Sequence, residues 1–457
     1  MKFKIFVLQF LLVTAMVLTL QILIFRVAYS SDTGIEFRLE KARTTNEIAE
    51  TVLLDNGLCG ESLAWKLNSN GVLTISGEGE MTDYYGEAPW FQYRTSITEI
   101  IVEDGAVNIS CGAFMECVNA KRIRLGDSIL ALDKEAFSLC ISLEEIWMPS
   151  GLRAVYPSCF RRCTSLKKIG LPEKLEYLGE NAFSECYALE EITLPESIEK
   201  IYDKTFYDCR SLKTVNLPEG LCGIDSGAFM KCRSLETICL PETVRWLGER
   251  VFSNCSSLTE IVLHDGLREL KDYSFASCNA LISVTLPKDL ESLETGVFMG
   301  CTRLESINLP DSLISIGSNC FGTCKSLRQI KFPKKLSNLG DYAFGLCSAL
   351  TEMEFPEEML YLGDLFFSDC NYLTKVILPI NFNACSDEVL KNTGELKEIY
   401  FRGETPQKWN LSGNSKNAVL YYIEGQPGWT SPTWTAPDGT VYRTQVWNKI
   451  YLSETVK

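Results

Sequence analysis

Phenylalanine recurs every 23 residues through the middle of this 457-residue chain, over twelve repeats without an insertion or a deletion. Cysteine follows each phenylalanine by three residues, and leucine follows it by six except in the first repeat, which has Ala120. The two columns are Phe114, Phe137, Phe160, Phe183, Phe206, Phe229, Phe252, Phe275, Phe298, Phe321, Phe344 and Phe367, with Cys117, Cys140, Cys163, Cys186, Cys209, Cys232, Cys255, Cys278, Cys301, Cys324, Cys347 and Cys370. Such spacing predicts similar coils stacked end to end, each burying its apolar residues against its neighbours.

Within one repeat the apolar pattern changes its period. Phe, Cys and Leu three apart lie on one side of a short helical or 3-10 turn. The alternating pairs nine and eleven residues after the phenylalanine, such as Ile192/Leu194, predict a half-buried strand. Proline follows in ten of the twelve repeats and ends the strand, because it cannot donate the next ladder hydrogen bond. Further apolar residues, such as Leu267 and Leu270, predict a second short extended piece on the return side.

One strand per coil and a repeat of roughly 20 to 29 residues are typical of a leucine-rich-repeat solenoid. Coils such as CTSLKKIGLPEKLEYLGENAF (163–183) resemble the BspA-type leucine-rich repeats of bacterial surface proteins. The opening GLCGESLAWKLNSNGVLTISGEGEMTDY (57–84) and the closing IYFRGETP and YYIEGQPGWT resemble the segments that flank repeats in that family. The resemblance implies surface display and attachment to proteins, other cells or host matrix.

The repeats are expected to become atypical at both ends, where a coil faces water. Phe91 occupies the phenylalanine slot before Phe114, but Arg94 stands in its cysteine slot. After Phe367, Leu390 stands in the phenylalanine slot and Thr393 in the cysteine slot. The predicted organisation is 1–30 a signal peptide or membrane anchor; 31–56 a linker; 57–110 an N-terminal cap module and degenerate first repeat; 111–380 the solenoid; 381–402 a degenerate terminal repeat; and 403–457 an aromatic-rich C-terminal segment.

The N-terminal segment predicts export. Lys2 and Lys4 precede a 21-residue apolar run over 5–25, and Ala28-Tyr29-Ser30 resembles a small-residue cleavage site. The run is longer than a typical signal-peptide core and near the length that spans a bilayer. A cleaved signal, an uncleaved anchor and a buried core helix therefore all remain open.

The two flanks of the solenoid have different compositions. Leu63, Trp65 and Leu67 alternate before an Asn70-Gly71 turn, which predicts a β-hairpin that seals the first coil. Four of the eight tryptophans (409, 429, 434 and 447) fall after residue 403, beside several tyrosines. They predict either the core of a small β cap or a surface on which carbohydrate stacks.

The chain has 19 cysteines, which an exported protein commonly pairs in disulfides. Stacked copies of one residue lie about 4.8 Å apart, beyond the usual 3.5–4.5 Å between the Cβ atoms of a disulfide. We therefore expect the ladder cysteines to be free, buried thiols that act as small apolar residues, together with Cys159 and Cys320. The candidates for a bridge or a reactive thiol are Cys59, Cys111, Cys222, Cys239 and Cys385.

The sequence offers little for catalysis, metal binding or cofactor binding. The single histidine, His264, stands in the proline slot, and a Ser-His or Cys-His pair would depend on it alone. No CxxC pair, P-loop or calcium loop occurs, and the carboxylates are scattered over outward positions. A formal net charge of −15 disfavours nucleic acid as a partner. We expect neither an enzyme nor a cofactor or metal.

The outward strand positions, eight and ten residues after each phenylalanine, predict the binding face. Arg122, Arg124, Trp147 and Lys168 form the candidate anchor, since arginine and tryptophan are enriched at interface hot spots. Trp246 points outward on the return side. The predicted function is attachment to an unidentified protein or glycan ligand on a cell or matrix. A passive envelope spacer is the alternative, and a glycan-binding or glycan-acting C-terminal segment is a third.

Overall fold

The computed structural model describes residues 52–85, 87–357, 359, 364–382, 393–409 and 417–447. The predictions for residues 1–30, for Leu390 and for Cys385 concern positions outside this part of the chain. Within it, the residues form a β-solenoid made of short strands and hydrogen-bonded turns.

The strands are short because the chain changes direction three times within each coil. In chain order they are β1 (Leu53–Leu58), β2 (Ser62–Asn68), β3 (Val72–Glu78), β4 (Glu99–Val102), β5 (Asn108–Ile109), β6 (Arg122–Leu125), β7 (Ala131–Leu132), β8 (Glu145–Trp147), β9 (Ala154–Val155), β10 (Tyr177–Leu178), β11 (Glu191–Thr193), β12 (Lys200–Ile201), β13 (Thr214–Asn216), β14 (Gly223–Ile224), β15 (Trp246–Leu247), β16 (Glu260–Val262), β17 (Glu269–Leu270), β18 (Ser283–Thr285), β19 (Ser292–Leu293), β20 (Ser315–Ile316), β21 (Asn338–Leu339), β22 (Glu352–Glu354), β23 (Lys375–Leu378), β24 (Glu398–Phe401), β25 (Val419–Tyr422), β26 (Thr433–Thr435) and β27 (Val441–Val446). A 3-10 helix, Phe91–Tyr93, precedes β4.

The predicted strand of each coil lies on one side of the solenoid. Neighbouring strands are parallel and register at the repeat length, as in Arg122 with Glu145 and Glu260 with Ser283. Their central residues are buried and the flanking ones exposed, which is the alternation expected of a half-buried strand. Residues 168–171 and 237–240 carry no regular strand, although the pattern predicted one. In the first of these, Gly170 offers no side chain to pack and weakens a strand.

The second extended piece is confirmed on the return side of the coils from Asn108–Ile109 to Asn338–Leu339. It is only two residues long, as in β7 and β9, where Ala131 pairs with Ala154 and Leu132 with Val155. The second residue of each such pair is buried in the core.

The third side of each coil is a turn whose backbone bonds to the next coil. The amide of Phe114 donates to the carbonyl of Ala136 at 2.8 Å, and that of Glu116 donates to Ser138 at 2.9 Å. Glu116 has a φ of 62° and Leu139, one coil later, a φ of 64°. The predicted helical or 3-10 turn takes the form of separate i→i+3 turns, in which the amide of Cys117 donates to the carbonyl of Phe114 at 3.2 Å and that of Ala120 to Cys117 at 3.0 Å. A left-handed residue before each cysteine interrupts the helix and turns its amide toward the neighbouring coil.

The phenylalanine column is confirmed as the centre of the core. From Phe114 to Phe344 each ring stacks on its copy in the next coil, with centroids 5.2–5.8 Å apart and interplanar angles of 1–18°. These rings are fully buried. Burial of one such side chain contributes about 1.5–3 kcal/mol, before the favourable offset-stacking term is added. The stack therefore supplies a large stabilising contribution at every coil.

The cysteine column is buried, as predicted, and has a role that the sequence did not show. From Cys140 onward, each ladder thiol donates a hydrogen bond to the carbonyl of the phenylalanine in the preceding coil, at 3.1–3.3 Å. Burial raises the pKa of Cys140 and Cys186 to about 12, so the thiol proton needed for this bond is retained. Cysteine thus serves as a small apolar residue that can also donate to the neighbouring backbone.

At the N-terminal end the structure corrects two sequence predictions. Trp90, not Phe91, continues the aromatic column: its ring stacks 5.3 Å from Phe114 at 19°, whereas Phe91 is partly exposed beneath Arg94. The 3-10 helix that begins at Phe91 shifts the register by one residue. The first strand also begins at Leu53, inside the predicted linker, because β1 pairs with β2. β2 and β3 form the predicted hairpin, and β3 joins the face through β4.

The C-terminal segment continues the strand side of the solenoid. β25 pairs in parallel with β24, and β27 pairs with β25, so the sheet that begins at β22 runs on through residue 446. Paired residues of β24 and β25 are closer in sequence than the repeat length. Tyr400 pairs with Tyr421, whereas the repeat length would pair it with Ile423. Trp409, Trp434 and Trp447 are buried, which agrees with the core interpretation of these aromatics.

The aromatic register at the N-terminal end can be tested with two alanine variants. Trp90→Ala is expected to lower the free energy of unfolding by about 3–5 kcal/mol, because it opens a cavity beneath Phe114. Phe91→Ala should cost only about 1 kcal/mol, because that ring is partly exposed. Urea denaturation followed by circular dichroism measures both. A larger loss for Phe91→Ala would contradict the assigned register.

The buried thiols predict a sharp difference in chemical reactivity. The thiolate is the nucleophile, so burial and a raised pKa keep Cys140 and Cys186 inert at pH 8, whereas Cys239 is exposed. Iodoacetamide treatment and peptide mapping should find Cys239 modified in the native protein. The ladder cysteines should be modified only after addition of denaturant. Native labelling of Cys140 at a rate near that of Cys239 would show that the column is open to solvent.

Candidate binding face

The strands present two columns of outward side chains, which together we call the strand face. One column begins at Glu99 and the other at Ile101, and each adds one residue per coil because neighbouring strands are in register. The buried residue between the two columns anchors the strand, as Ile192 does in β11. Side chains on the strand face are therefore free to vary without loss of the core.

Three of the four predicted anchor residues come together near the N-terminal end of this face. The guanidinium carbon of Arg124 lies 5.1 Å from the centre of the Trp147 ring, one coil away. Arg122 and Arg124 both approach the carboxylate of Glu99, at 3.5 Å and 3.8 Å. Trp147 is 46% exposed. We call Arg122, Arg124 and Trp147 the arginine–tryptophan patch.

Lys168, the fourth predicted residue, has a different partner. Its ammonium nitrogen lies 2.6 Å from a carboxylate oxygen of Glu191 in the next coil, and this hydrogen bond raises the pKa of Lys168. The ion pair is solvent-exposed, so it contributes little to stability. It directs Lys168 away from the coil of Trp147 and toward the middle of the face.

Charge alternates along the first coils of the strand face and becomes sparse in its middle, where Glu260 is exposed. The first column reads Glu99, Arg122, Glu145, Lys168 and Glu191. The middle of the face carries neutral polar residues at Thr193, Thr214, Asn216, Thr237, Thr285 and Asn308. Asn216 donates to the hydroxyl of Thr193 at 2.9 Å. The net charge of −15 is therefore not concentrated on the first and middle coils of this face.

The C-terminal end of the face holds an aromatic cluster whose pairing the sequence did not reveal. Tyr400 and Tyr421 stack with centroids 4.5 Å apart at 12°, and Trp447 packs edge-on against Tyr400 at 5.0 Å. The ammonium of Lys375 lies 5.3 Å from the Tyr400 ring centre. The register between their strands is shorter than the repeat, so a search at the repeat length does not align the two tyrosines.

The return side carries a second exposed tryptophan. Trp246 lies over Gly223, where a Cβ atom would clash with the indole ring, and is 42% exposed. Its indole nitrogen donates to Asp225 at 3.2 Å, and Asp225 also accepts from Lys200 at 2.8 Å. Glycine at position 223 therefore gives the ring room to lie flat on the neighbouring coil.

The residues considered for bridges, catalysis or metal binding are dispersed. Cys59 is buried, which raises its pKa to about 11 and argues against the predicted reactivity of this thiol. Cys239 is exposed on the strand face, while Cys111 and Cys222 are half-buried. One ring nitrogen of His264 lies 2.8 Å from the carbonyl of Leu240. Within the described ranges, histidine, cysteine and carboxylate side chains form no cluster of three that could hold a metal ion.

No helix in the described part of the chain is long and apolar enough to cross a membrane. Arg402 is the most buried of the arginines for which ion pairs are seen. Its guanidinium donates to the carbonyl of Phe355 at 3.0 Å and pairs with Glu354 and Glu357. These contacts join the end of β24 to the coil of β22 and stabilise the C-terminal end of the face.

Among solved structures, the fold resembles a leucine-rich repeat protein from Bacteroides ovatus, with a TM-score of 0.63, 23% identity, and coverage of 75% of this chain and 93% of that one. A leucine-rich repeat protein of T. pallidum is 29% identical over 44% of this chain and 89% of its own, with a TM-score of 0.36. A leucine rich cell surface protein from Faecalibacterium prausnitzii is 20% identical over 76% of this chain and 94% of its own, with a TM-score of 0.41.

Searches by sequence give a family but no individual relative. No curated protein matches the chain. The profile of the BspA type leucine rich repeat region matches residues 87–213, 178–305 and 291–408, which together cover more than two thirds of the chain. The twelve-coil register and the buried columns lie within or next to this span. The chain therefore belongs to the BspA-type leucine-rich-repeat family.

Proposed function

We propose that the chain is a surface-displayed or secreted binding protein whose strand face attaches to a protein ligand, with the arginine–tryptophan patch as its anchor. The observation that carries the proposal is the placement of an exposed Trp147 against Arg124. Tryptophan and arginine are the side chains most enriched at binding hot spots. Folds of this family are typically binding scaffolds and not enzymes.

The patch is preorganised, which favours affinity. Glu99 approaches both arginines, and the Arg124 guanidinium lies over the indole, so less side-chain freedom is lost on binding. A mostly neutral surface continues from the patch along the middle coils. An extended surface of this kind is what solenoid proteins use for binding.

Surface display rests on the family and on the N-terminal segment. The F. prausnitzii structure is described as that of a cell surface protein. Residues 1–30 have the basic flank and apolar run of an export signal or an anchor. Either reading of this segment supports a solenoid displayed outside the cytoplasm.

A passive spacer of the cell envelope is the second candidate, and the ion pairs between coils favour it. Arg122 with Glu99 and Lys168 with Glu191 satisfy charges on the face that a ligand would otherwise bind. A spacer needs the stacked core but no particular side chains on the strand face. The two functions therefore differ in how they respond to substitutions on the face.

A binding screen with face variants distinguishes these two candidates. The purified full-length protein is tested against immobilised host-matrix proteins and whole bacterial cells, beside the double variant Arg124→Ala/Trp147→Ala. We expect saturable binding that the double variant weakens about 30-fold or more, the scale of a hot spot. Surface plasmon resonance measures the affinity.

Two controls separate loss of binding from loss of folding. Lys168→Ala, whose side chain pairs away from the patch, should change the affinity by less than about threefold. Trp147→Ala should alter the free energy of unfolding by less than about 0.5 kcal/mol, because it is a surface substitution. Binding that survives the double variant would move the site to another coil, and absence of any ligand would favour the spacer.

A further inference from the structure

A groove opens beside the aromatic cluster at the C-terminal end of the strand face. It encloses about 470 Å³ and crosses strands β24, β25 and β27. Its polar and aromatic lining includes Glu395, Lys397, Glu398, Asn417, Tyr421 and Arg443. This volume falls in the range of small-molecule sites, which span about 300–1,000 Å³.

The groove continues into a second, smaller one over the preceding coils. The smaller groove encloses about 280 Å³ and is lined by Thr351, Glu352, Thr374 and Lys375. Lys397 and Glu398 line both. The two grooves therefore form one open track that passes over β22 to β27, long enough for a chain-like ligand with repeating units.

The aromatic wall of the track is held rigidly. Tyr421 lines the groove, and Tyr400 stacks on it at 4.5 Å. Trp447 packs edge-on against Tyr400, and the Tyr400 hydroxyl donates to Glu398 at 3.0 Å. A tyrosine that is fixed in this way offers an amphipathic surface at little cost in conformational entropy.

The described residues that line the track carry no net formal charge. Three carboxylates (Glu352, Glu395 and Glu398) face three cations (Lys375, Lys397 and Arg443). Carboxylates accept hydrogen bonds, ammonium and guanidinium groups donate them, and the amide of Asn417 does both. A ligand with net charge gains little from such a lining. A neutral ligand with many hydroxyl groups can use every one of these partners, because each hydroxyl both donates and accepts.

We propose that this track is a saccharide-binding site for neutral oligosaccharides. One sugar ring packs its apolar face against Tyr421, while its hydroxyl groups bind Glu398, Lys397 and Asn417. Further units of the chain lie along the smaller groove toward Lys375. The site is at the opposite end of the run of repeats from the arginine–tryptophan patch and uses none of its residues, so it does not depend on the function proposed for that patch.

A glycan array tests the site with the full-length protein. The array carries neutral hexose and N-acetylhexosamine oligomers beside sulfated and sialylated ones. We expect binding to a neutral oligomer, weakened about tenfold or more by Tyr421→Ala, which removes the stacking surface. Tyr421→Phe keeps the ring and should stay within about threefold of the parent. Trp147→Ala, a change in the other patch, should bind glycans like the parent.

A second variant keeps the test independent of folding. Lys397 and Asn417 are exposed, so Lys397→Ala/Asn417→Ala leaves the core intact and should weaken binding to the same oligomer about tenfold or more. No binding to any neutral oligomer would overturn the proposal. So would a preference for the charged glycans, or binding that both Tyr421→Ala and the double variant leave unchanged.

Discussion

From Phe114 to Phe344 each coil of the solenoid is held to the next by a phenylalanine ring stacked on its copy, and from Cys140 onward a thiol donates to the backbone of the coil before it. Both contacts recur once per coil, and both are buried. Because most contacts of a coil are with its neighbours, stability is close to a sum of similar steps along the stack. The strict spacing of Phe and Cys in the sequence follows from this requirement. An added or missing residue would move a ring out of the column and a thiol away from its carbonyl.

The same arrangement explains why the outer surface can differ so much from one end to the other. The core uses the inward side chains and the backbone, and the outward columns have no part in the stack. The N-terminal coils combine alternating charges with Trp147, the middle coils carry small neutral side chains, and the C-terminal coils carry stacked tyrosines. Two surfaces with different chemistry can therefore be placed on one scaffold without conflict.

Sequence periodicity predicted the columns at Phe, Cys and Leu and the two extended pieces of each coil, because those positions repeat so regularly. It did not reveal features whose cause leaves no repeating pattern of residue types. Trp90 replaces Phe91 in the column because a 3-10 helix changes the local register. The turns do not continue into a regular helix because a left-handed residue precedes each cysteine, and residues as different as Glu116 and Leu139 adopt this conformation. Tyr400 and Tyr421 meet only because the register between their strands falls short of the repeat length.

The most direct test of the stacked-column account is the removal of one coil. Deletion of residues 206–228 joins Thr205 to Phe229 and takes out one whole repeat, while deletion of 206–227 leaves the following coils one residue out of register. Thermal unfolding followed by circular dichroism compares the two with the parent. The account predicts that the whole-repeat deletion unfolds cooperatively near the parent's melting temperature and that the shorter deletion is strongly destabilised. Equal stability of the two deletions would contradict it.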